Sequence, residues 1–319
     1  MPEDAALQWA IATWHPFPAV TNSLTLWLLL DGKPGHENQS LGLAEAMQRR
    51  VPCTIHRISL AGKRGLLARV NAAIHASVSL PKPDFIIGAG HATHLALLWL
   101  ARKHQAKSIV MMRPSLPLAW FDLAIVPAHD FTQPPQRKNL IVTQGALNRV
   151  APPAAGERSG RMILIGGPSG THGWDDVAIL TALADITSAG GWQLTDSRRT
   201  PAGFIEEIRT RLPQIEVFPH QATRENWLPA QLALAREVWV TEDSVSMIYE
   251  ALSSGAAVGL LPLPRTQGAS RVLRGLEQLI TGAYLTPLST WQKTRHLIPP
   301  PSTLREADRC ADMVLQDRS

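Results

Sequence analysis

Residues 240–261 read VTEDSVSMIYEALSSGAAVGLL. The run Glu237-Val238-Trp239-Val240-Thr241 is the tail of a strand, and Glu242-Asp243-Ser244 is a polar turn. After it, Val245, Ile248 and Leu252, with Met247 and Ala251 one position off, recur at helical spacing. Gly255 sits where a left-handed residue closes a helix. Ala257 to Leu261 is a second apolar run of strand length. Strand, helix and strand in so few residues make one βαβ unit, which implies a parallel sheet.

The start of this helix carries the chemistry. Unpaired N–H groups and the helix dipole favour an anion there. Ser244 and Ser246 add hydroxyl donors, with Thr241, Asp243 and Met247 in the same candidate donor-binding turn. Glu250, six residues after Ser244, offers an acceptor to a ribose diol. The unit therefore suits a nucleotide diphosphate, with phosphates at the serines and ribose at Glu250. An ordinary capped helix, with Ser and Asp as N-caps, is the open alternative.

At 319 residues the chain exceeds the usual single core, so two domains are expected. With 45% hydrophobic residues it is globular. No apolar run approaches the ~18 residues that span a bilayer. Met-Pro-Glu-Asp at the start lacks the basic segment of a signal peptide. Cys53 and Cys310 lie far apart with no metal spacing, so the expectation is a cytoplasmic protein with reduced thiols and no metal site. Charge is uneven. Residues 31–150 hold 15 Lys/Arg against 6 Asp/Glu, a balance of +9, whereas 1–30 and 151–319 are each −2. A basic half favours phosphates, nucleic acid or an anionic membrane. A basic composition without specific meaning is the alternative.

Leu24 to Leu30 is a buried strand that enters a loop and then a helix from about Glu37 to Arg50. The loop DGKPGHENQS brings Asp31, His36, Asn38 and Gln39 to a strand's carboxyl end, where open α/β sheets hold ligands. It is neither a G-x-G-x-x-G nor a Walker loop. Asp31 or His36 can take a proton from a hydroxyl; a polar turn capped by Asp is the alternative. Leu60 to Leu80 reads as a basic amphipathic helix, with Lys63, Arg64 and Arg69 among Leu66, Leu67, Val70 and Ile74. Such a face suits an anionic membrane, or is simply solvated. Further strands, Asp84 to Gly88, Lys107 to Met112, Asp122 to Val126 and Asn139 to Val142, end near Gly90 and His91, Arg113, His129 and Asp130, and Gln144. Five polar or small strand ends in register imply the rim of a cleft.

VAPPAAGERSG (150–160) is a linker without period. A second α/β array follows, from the strand Arg161 to Ile165 onward. Three of its loops suit anions: Gly166 to Thr171, with Gly166, Gly167 and Ser169; Ser197-Arg198-Arg199-Thr200; and Asp243 to Ser246. In the second, paired arginines precede a helix expected to start at Pro201-Ala202, combining bidentate donors with a dipole. The expected division is an extension at 1–22, a first domain at 23–150, a linker at 151–160, a second domain at 161–300, and a C-terminal helix in 301–319 that crosses back onto the first domain.

LLLDGKPGHENQSLGLAEAM, PDFIIGAG, FDLAIVPAHD, LIVTQGALNRV, ILIGGPS, DSRRTP and VTEDSVSMIYEALSSG, in this order, resemble the "mitochondrial fission" (elongated-mitochondria) family over about residues 24–285. The family resembles glycosyltransferases of GT-B architecture, which implies an α/β fold of two Rossmann-like domains facing a cleft. The resemblance assigns the acceptor to the first domain and the nucleotide sugar to the second. It matches Ser244, Ser246 and Glu250 to the diphosphate–ribose helix, and Gly166, Gly167 and Ser169 to the first donor loop. By location only, the His36 loop resembles the acceptor loop of the lipid-linked cell-wall N-acetylglucosaminyltransferase.

The leading expectation is glycosyl transfer without a metal or tightly bound cofactor, from a nucleotide sugar, UDP-sugar first. Asp31 or His36 is the base, and Asn38, Gln39, Gly90, His91, Arg113, His129, Asp130 and Gln144 form the acceptor cleft. The charge implies an anionic or lipid-linked acceptor met at the inner membrane face, with no nucleic acid partner. A nucleotide-sugar 2-epimerase and a non-catalytic scaffold of the same fold are the alternatives.

Overall fold

The computed structural model describes residues 23–151, 158–266 and 271–316. The expected N-terminal extension and most of the linker lie outside the described residues.

Apolar runs with both faces buried are the signature of parallel strands covered by helices. β1 (Leu24–Leu30) shows it: Leu24, Leu26, Leu28 and Leu30 pack on one side, Trp27 and Leu29 on the other. The first unit runs α1 (Pro34–Gln48), β2 (Cys53–Ser59), α2 (Leu66–Ser77), β3 (Phe85–Ala89), α3 (His94–His104), β4 (Lys107–Met111), β5 (Leu123–Pro127) and β6 (Leu140–Thr143). Its six strands are parallel, in the order β2-β1-β3-β4-β5-β6.

The second unit runs β7 (Gly160–Leu164), α4 (Asp176–Ile186), β8 (Trp192–Thr195), α5 (Phe204–Arg211), β9 (Ile215–Val217), α6 (Trp227–Leu234), β10 (Ala235–Thr241), α7 (Val245–Ser254), β11 (Ala257–Leu261), α8 (Arg271–Thr281), β12 (Leu285–Pro287) and α9 (Leu288–Thr294). Its six parallel strands lie in the order β12-β11-β10-β7-β8-β9. Strand order reverses beside β1 in the first sheet and beside β7 in the second. Crevices open at the carboxyl ends of strands at such switch points. The loop after β1 and the loops after β7 and β10 therefore occupy the ligand edge of each sheet.

The final helix, α10 (Glu306–Gln316), packs on the first unit: Ala307, Cys310, Ala311 and Val314 join the cluster that holds Leu43, Ala46 and Met47 of α1. Arg50 pairs there with Asp308 at 2.7 Å and with Asp312, and Arg49 reaches Asp308 at 2.9 Å. Burial pushes the Cys310 thiol up to about 12.

Several element starts differ from expectation, each for a local reason. α1 begins at Pro34, three residues early, because proline's missing N–H is not needed in a first turn. α2 begins at Leu66, not Leu60, since Gly62 and Gly65 adopt φ of +71° and +82°. α5 begins at Phe204 because Gly203, at φ +85°, interrupts the turn that starts at Pro201. The short pair β12 and α9 was not anticipated, as three strand residues give too little periodicity to read. Gly255 does close α7 in the left-handed conformation, at φ +78°.

Candidate functional site

A cleft of about 830 Å³ separates α1 from the loops of the second sheet. The second unit contributes Ser197, Arg198 and Arg199, then Ser244, Ser246, Met247 and Glu250. Asn38 and Gln39 face them from α1. So the helix read first from sequence, α7, opens into the cleft. Ser244 is its N-cap residue, yet its side chain makes no capping hydrogen bond. The first-turn N–H groups of an α-helix have no intrahelical acceptor. The plain capped-helix alternative is therefore not what the structure shows, and Asp243 does not cap either.

Asp243 is committed elsewhere. Its buried carboxylate accepts from Arg199 Nη2 at 2.6 Å and from the Gly167 N–H at 3.1 Å. Its other oxygen, Oδ1, is buried without a hydrogen-bond partner among the described residues. Arg199 also donates to the Gly167 carbonyl at 3.1 Å. The Gly166 N–H is taken by Thr241 Oγ1 at 2.8 Å, and Thr200 Oγ1 donates to the Gly166 carbonyl at 2.6 Å. A Cβ at Gly166 would overlap the Asp243 carboxylate, and one at Gly167 the Arg199 carbonyl. This corrects the sequence expectation. Gly166, Gly167, Thr200, Thr241 and Asp243 are glycines and polar groups that let three loops lock together, not groups free to hold a phosphate. Ser169 is likewise turned into its own loop, where Oγ accepts from the His172 N–H at 3.1 Å. Arg198 is the arginine of the pair that lines the cleft without such an ion pair among the described contacts. It lies ahead of α5 by six residues, so that helix's dipole does not act at its guanidinium. Ser197 keeps its loop tight by accepting from the Arg199 N–H at 3.2 Å.

Glu250 stands part-buried in the cleft and accepts a 2.6 Å hydrogen bond from Asn38 Nδ2 across it. Burial pushes its carboxyl up to about 7, against the lowering effect of the Asn38 bond. A half-ionised carboxylate at neutral pH marks a group whose solvation has been given up for position.

On the first unit, Asp31 Oδ2 meets His36 Nδ1 at 2.8 Å, and Asp31 Oδ1 accepts from the Lys33 N–H at 3.1 Å. The carboxylate is nearly sealed, at 3% exposure, while the imidazole keeps 20%. Gly90, at φ +80°, backs the ring: a Cβ there would collide with it. Gly90 is thus packing for His36, not an acceptor contact. The pair stands at the rim, beside Gly35 and Glu37, which line the cavity.

The remaining acceptor-cleft expectations are not met. His91 is exposed outside the cavity, and Arg113 holds the Asp130 carbonyl at 3.0 Å with its guanidinium over Phe131. His129 turns to a small apolar hollow against Tyr249 and Leu276. The Gln144 N–H is bound by Glu306 of α10 at 2.9 Å. Strands β4 and β5 lie away from the switch point, and Arg113 and His129 after them do not line this cavity, whereas the chain after β6 returns to it through Ala146 to Arg149.

Sequence reasoning missed a second set of lining groups. Arg149 bonds Glu45 at 2.5 Å, Glu225 at 2.9 Å and Asn226 at 2.5 Å, and Arg57 reaches Glu225 at 3.1 Å. These ion pairs bridge the two units over the cleft. Asp196 accepts from His220 through the backbone N–H at 2.6 Å and the ring Nδ1 at 3.0 Å, and both residues line the cavity. Asp196 and His220 follow the ends of β8 and β9, so the strand-end rule would have found them. Nothing local marks Arg149. Its neighbour Asn148 seats the chain between α1 and α7, donating to Ser253 Oγ at 2.9 Å.

Two parallel six-stranded sheets with a cleft between their carboxyl edges define an α/β protein of the GT-B type. Solved structures of that architecture align with nearly the whole chain. A Listeria monocytogenes protein assigned as a UDP-N-acetylglucosamine 2-epimerase matches at TM-score 0.53 and 12% identity, over 93% of this chain and 88% of its own. The UDP-GlcNAc 2-epimerase of Neisseria meningitidis, solved with UDP-GlcNAc, matches at 0.52 and 10%, over 92% and 99%. MurG of Acinetobacter baumannii matches at 0.48 and 12%, over 92% and 99%. The chain belongs to the mitochondrial fission ELM1 family, whose model matches residues 34–317. A curated relative, uncharacterized protein RP120 of Rickettsia prowazekii, is 26% identical over 116 residues, 34% of this chain. The match spans about a third of that relative's length, 33%.

Proposed function

We propose that the protein is a glycosyltransferase that moves a sugar from a nucleotide-sugar donor, a UDP-sugar first, to an acceptor hydroxyl. One observation carries this reading. The uncapped head of α7, Arg198, which has no ion pair among the described residues, and the carboxylate of Glu250 converge in one cleft, opposite Asn38 and beside the Asp31–His36 pair. The cleft volume is within the range of small-molecule sites.

In this reading the first unit takes the acceptor and the second the donor. The diphosphate meets the first-turn N–H groups of α7, Ser244, Ser246 and Arg198, where negative charge grows as the glycosidic bond breaks. The ribose diol donates to Glu250 in exchange for Asn38. Asp31 accepts the Nδ1–H of His36, which leaves Nε2 to take the proton of the attacking hydroxyl. Cations and the helix dipole stabilise the leaving group without a metal ion. The acceptor is an anionic or lipid-linked hydroxyl compound, met by a cytoplasmic protein held peripherally at the inner membrane face. Among the described residues no helix is long and apolar enough to cross a membrane.

A nucleotide-sugar 2-epimerase, which needs no separate acceptor, is the second reading, since UDP-GlcNAc 2-epimerases are among the structures that share this fold. Thermal-shift titration with UDP, GDP, ADP, CMP and their sugars tests the donor site. A ligand at 100 times its Kd adds about 2.7 kcal/mol. One nucleotide series should stabilise the protein, and Glu250→Ala should abolish the gain. Incubation with the donor alone then separates the two enzymes: an epimerised sugar supports the epimerase, and nucleotide release only with an acceptor supports transfer. No stabilisation by any nucleotide would remove the enzymatic reading and favour a scaffold of this fold.

A further inference from the structure

Between Glu45 and Asp84 the chain holds no acidic residue but seven Arg and Lys. The structure sorts these cations. Arg49 and Arg50 are paired with α10, and Arg57 with Glu225. Lys63 and Arg64 are exposed and have no ion pair among the described contacts, in a loop where residues 61–68 are exposed without interruption. The first turn of α2 follows with Leu66 and Leu67. Both face solvent, at 48% and 78% exposure. Arg69 Nε donates to the Lys63 carbonyl at 3.0 Å and braces the loop. At Gly62 and Gly65 an added Cβ would meet no atom within 4 Å, so the loop stands clear of the rest of the chain.

We infer that this loop and the first turn of α2 are a docking element for an anionic phospholipid bilayer, with Leu66 and Leu67 entering the interfacial layer and Lys63, Arg64 and Arg69 at the headgroups. Two leucines at a projecting tip between cations suit an interface that is apolar below and anionic above. A convex tip offers no groove to a peptide, and residues 61–69 include no aromatic side chain on which a nucleobase could stack. The position matters for the cleft. A Cβ at Gly32 would lie 2.9 Å from the Ala61 Cβ, so the loop abuts the one that carries Asp31 and His36. Lys33, exposed in that neighbouring loop, adds a further cation. Docking therefore turns the acceptor rim of the cleft toward the headgroups. The consequence for the acceptor, that it is a hydroxyl presented from the lipid surface, rests on the transferase reading; the docking itself does not.

The test is co-flotation of the full chain with vesicles of phosphatidylcholine alone and of equimolar phosphatidylcholine and phosphatidylglycerol, at physiological salt. The protein should float with the anionic vesicles and not with the neutral ones. Each cation near an anionic surface contributes about fivefold to partitioning. Lys63→Glu combined with Arg64→Glu should therefore reduce binding by about 25-fold or more. Leu67→Ser should reduce it by about tenfold with all charges kept. Melting temperatures of both variants should stay at the parent value, because these side chains are exposed. Equal flotation with both vesicle types would overturn the proposal. So would anionic binding that neither variant weakens, or binding to single-stranded RNA that the charge variant loses and Leu67→Ser keeps. Nucleotide-sugar thermal shifts on the same preparations separate the two ideas: lost flotation with an intact shift refutes docking alone.

Discussion

Replacing Glu250 by glutamine should remove a pH dependence that the wild-type protein shows in donor binding. Burial holds the Glu250 carboxyl at about 7. If the ribose is bound through the ionised form, affinity follows the ionised fraction. That fraction falls about tenfold between pH 8 and pH 6 for a group titrating near 7. The Kd of a nucleotide sugar should therefore weaken by about tenfold over this interval. A nucleotide sugar is the right probe because both ends of its diphosphate are esterified, so its own charge is constant there. Glu250→Gln keeps an acceptor for Asn38 but cannot ionise, and its Kd should be flat over the same range. Stability supplies a second readout with its own sign. The folded carboxyl keeps its proton up to about 7, whereas the ordinary value is 4.5. Between those values the native state binds more protons than the unfolded chain, so stability falls as pH rises through that window. The full span is worth up to about 3 kcal/mol, reduced by the solvent that reaches a part-exposed group. Isothermal titration at pH 6, 7 and 8, with melting curves in the same buffers, measures both. A wild-type Kd independent of pH, or an equal slope in Glu250→Gln, would refute the role given to this carboxylate.

The two adjacent arginines should separate cleanly. Arg198→Ala should weaken nucleotide binding by roughly 1.5–3 kcal/mol, the worth of a hydrogen bond to a charged group, at unchanged melting temperature. Arg199→Ala should lower the melting temperature, because it strands the Asp243 carboxylate that it pairs with at 2.6 Å. Arg149→Ala leaves Glu45 and Glu225 without their common partner, and should cost about 3 kcal/mol in denaturant unfolding. Gly145→Ala forces a side chain onto a residue at φ +98° and into the Tyr249 ring. A loss of about 2–4 kcal/mol is expected, and a melting temperature within a degree of wild type would contradict the close approach.

Much of the architecture was readable from residue order because its causes are local. A strand buried on both faces is a continuous apolar run, as in Leu24–Leu30. A parallel sheet needs a helix between such runs, and Gly255 marks where one ends by adopting a backbone few other residues tolerate. The cleft-facing head of α7 and the Asp31–His36 pair were legible for the same reason, since each lies within a few residues of a strand end. Element starts near Gly65 and Gly203 were misread because a glycine's φ is chosen by its surroundings.

What residue order left open was which strand ends adjoin. The switch points at β1 and β7 draw Asn38 to Glu250, 212 residues away, and join Arg149 to Glu45 across 104. The strand order also carries Arg113 away from the cleft it was expected to line, while the Gln144 N–H is held by Glu306 of α10. It commits Gly166, Gly167 and Asp243 to one another, though the N–H groups of a glycine loop alone suit a phosphate. A side chain's type states what it can bond. Only the packed sheets decide which of its candidate partners is within 3 Å, and so whether it remains free for a ligand.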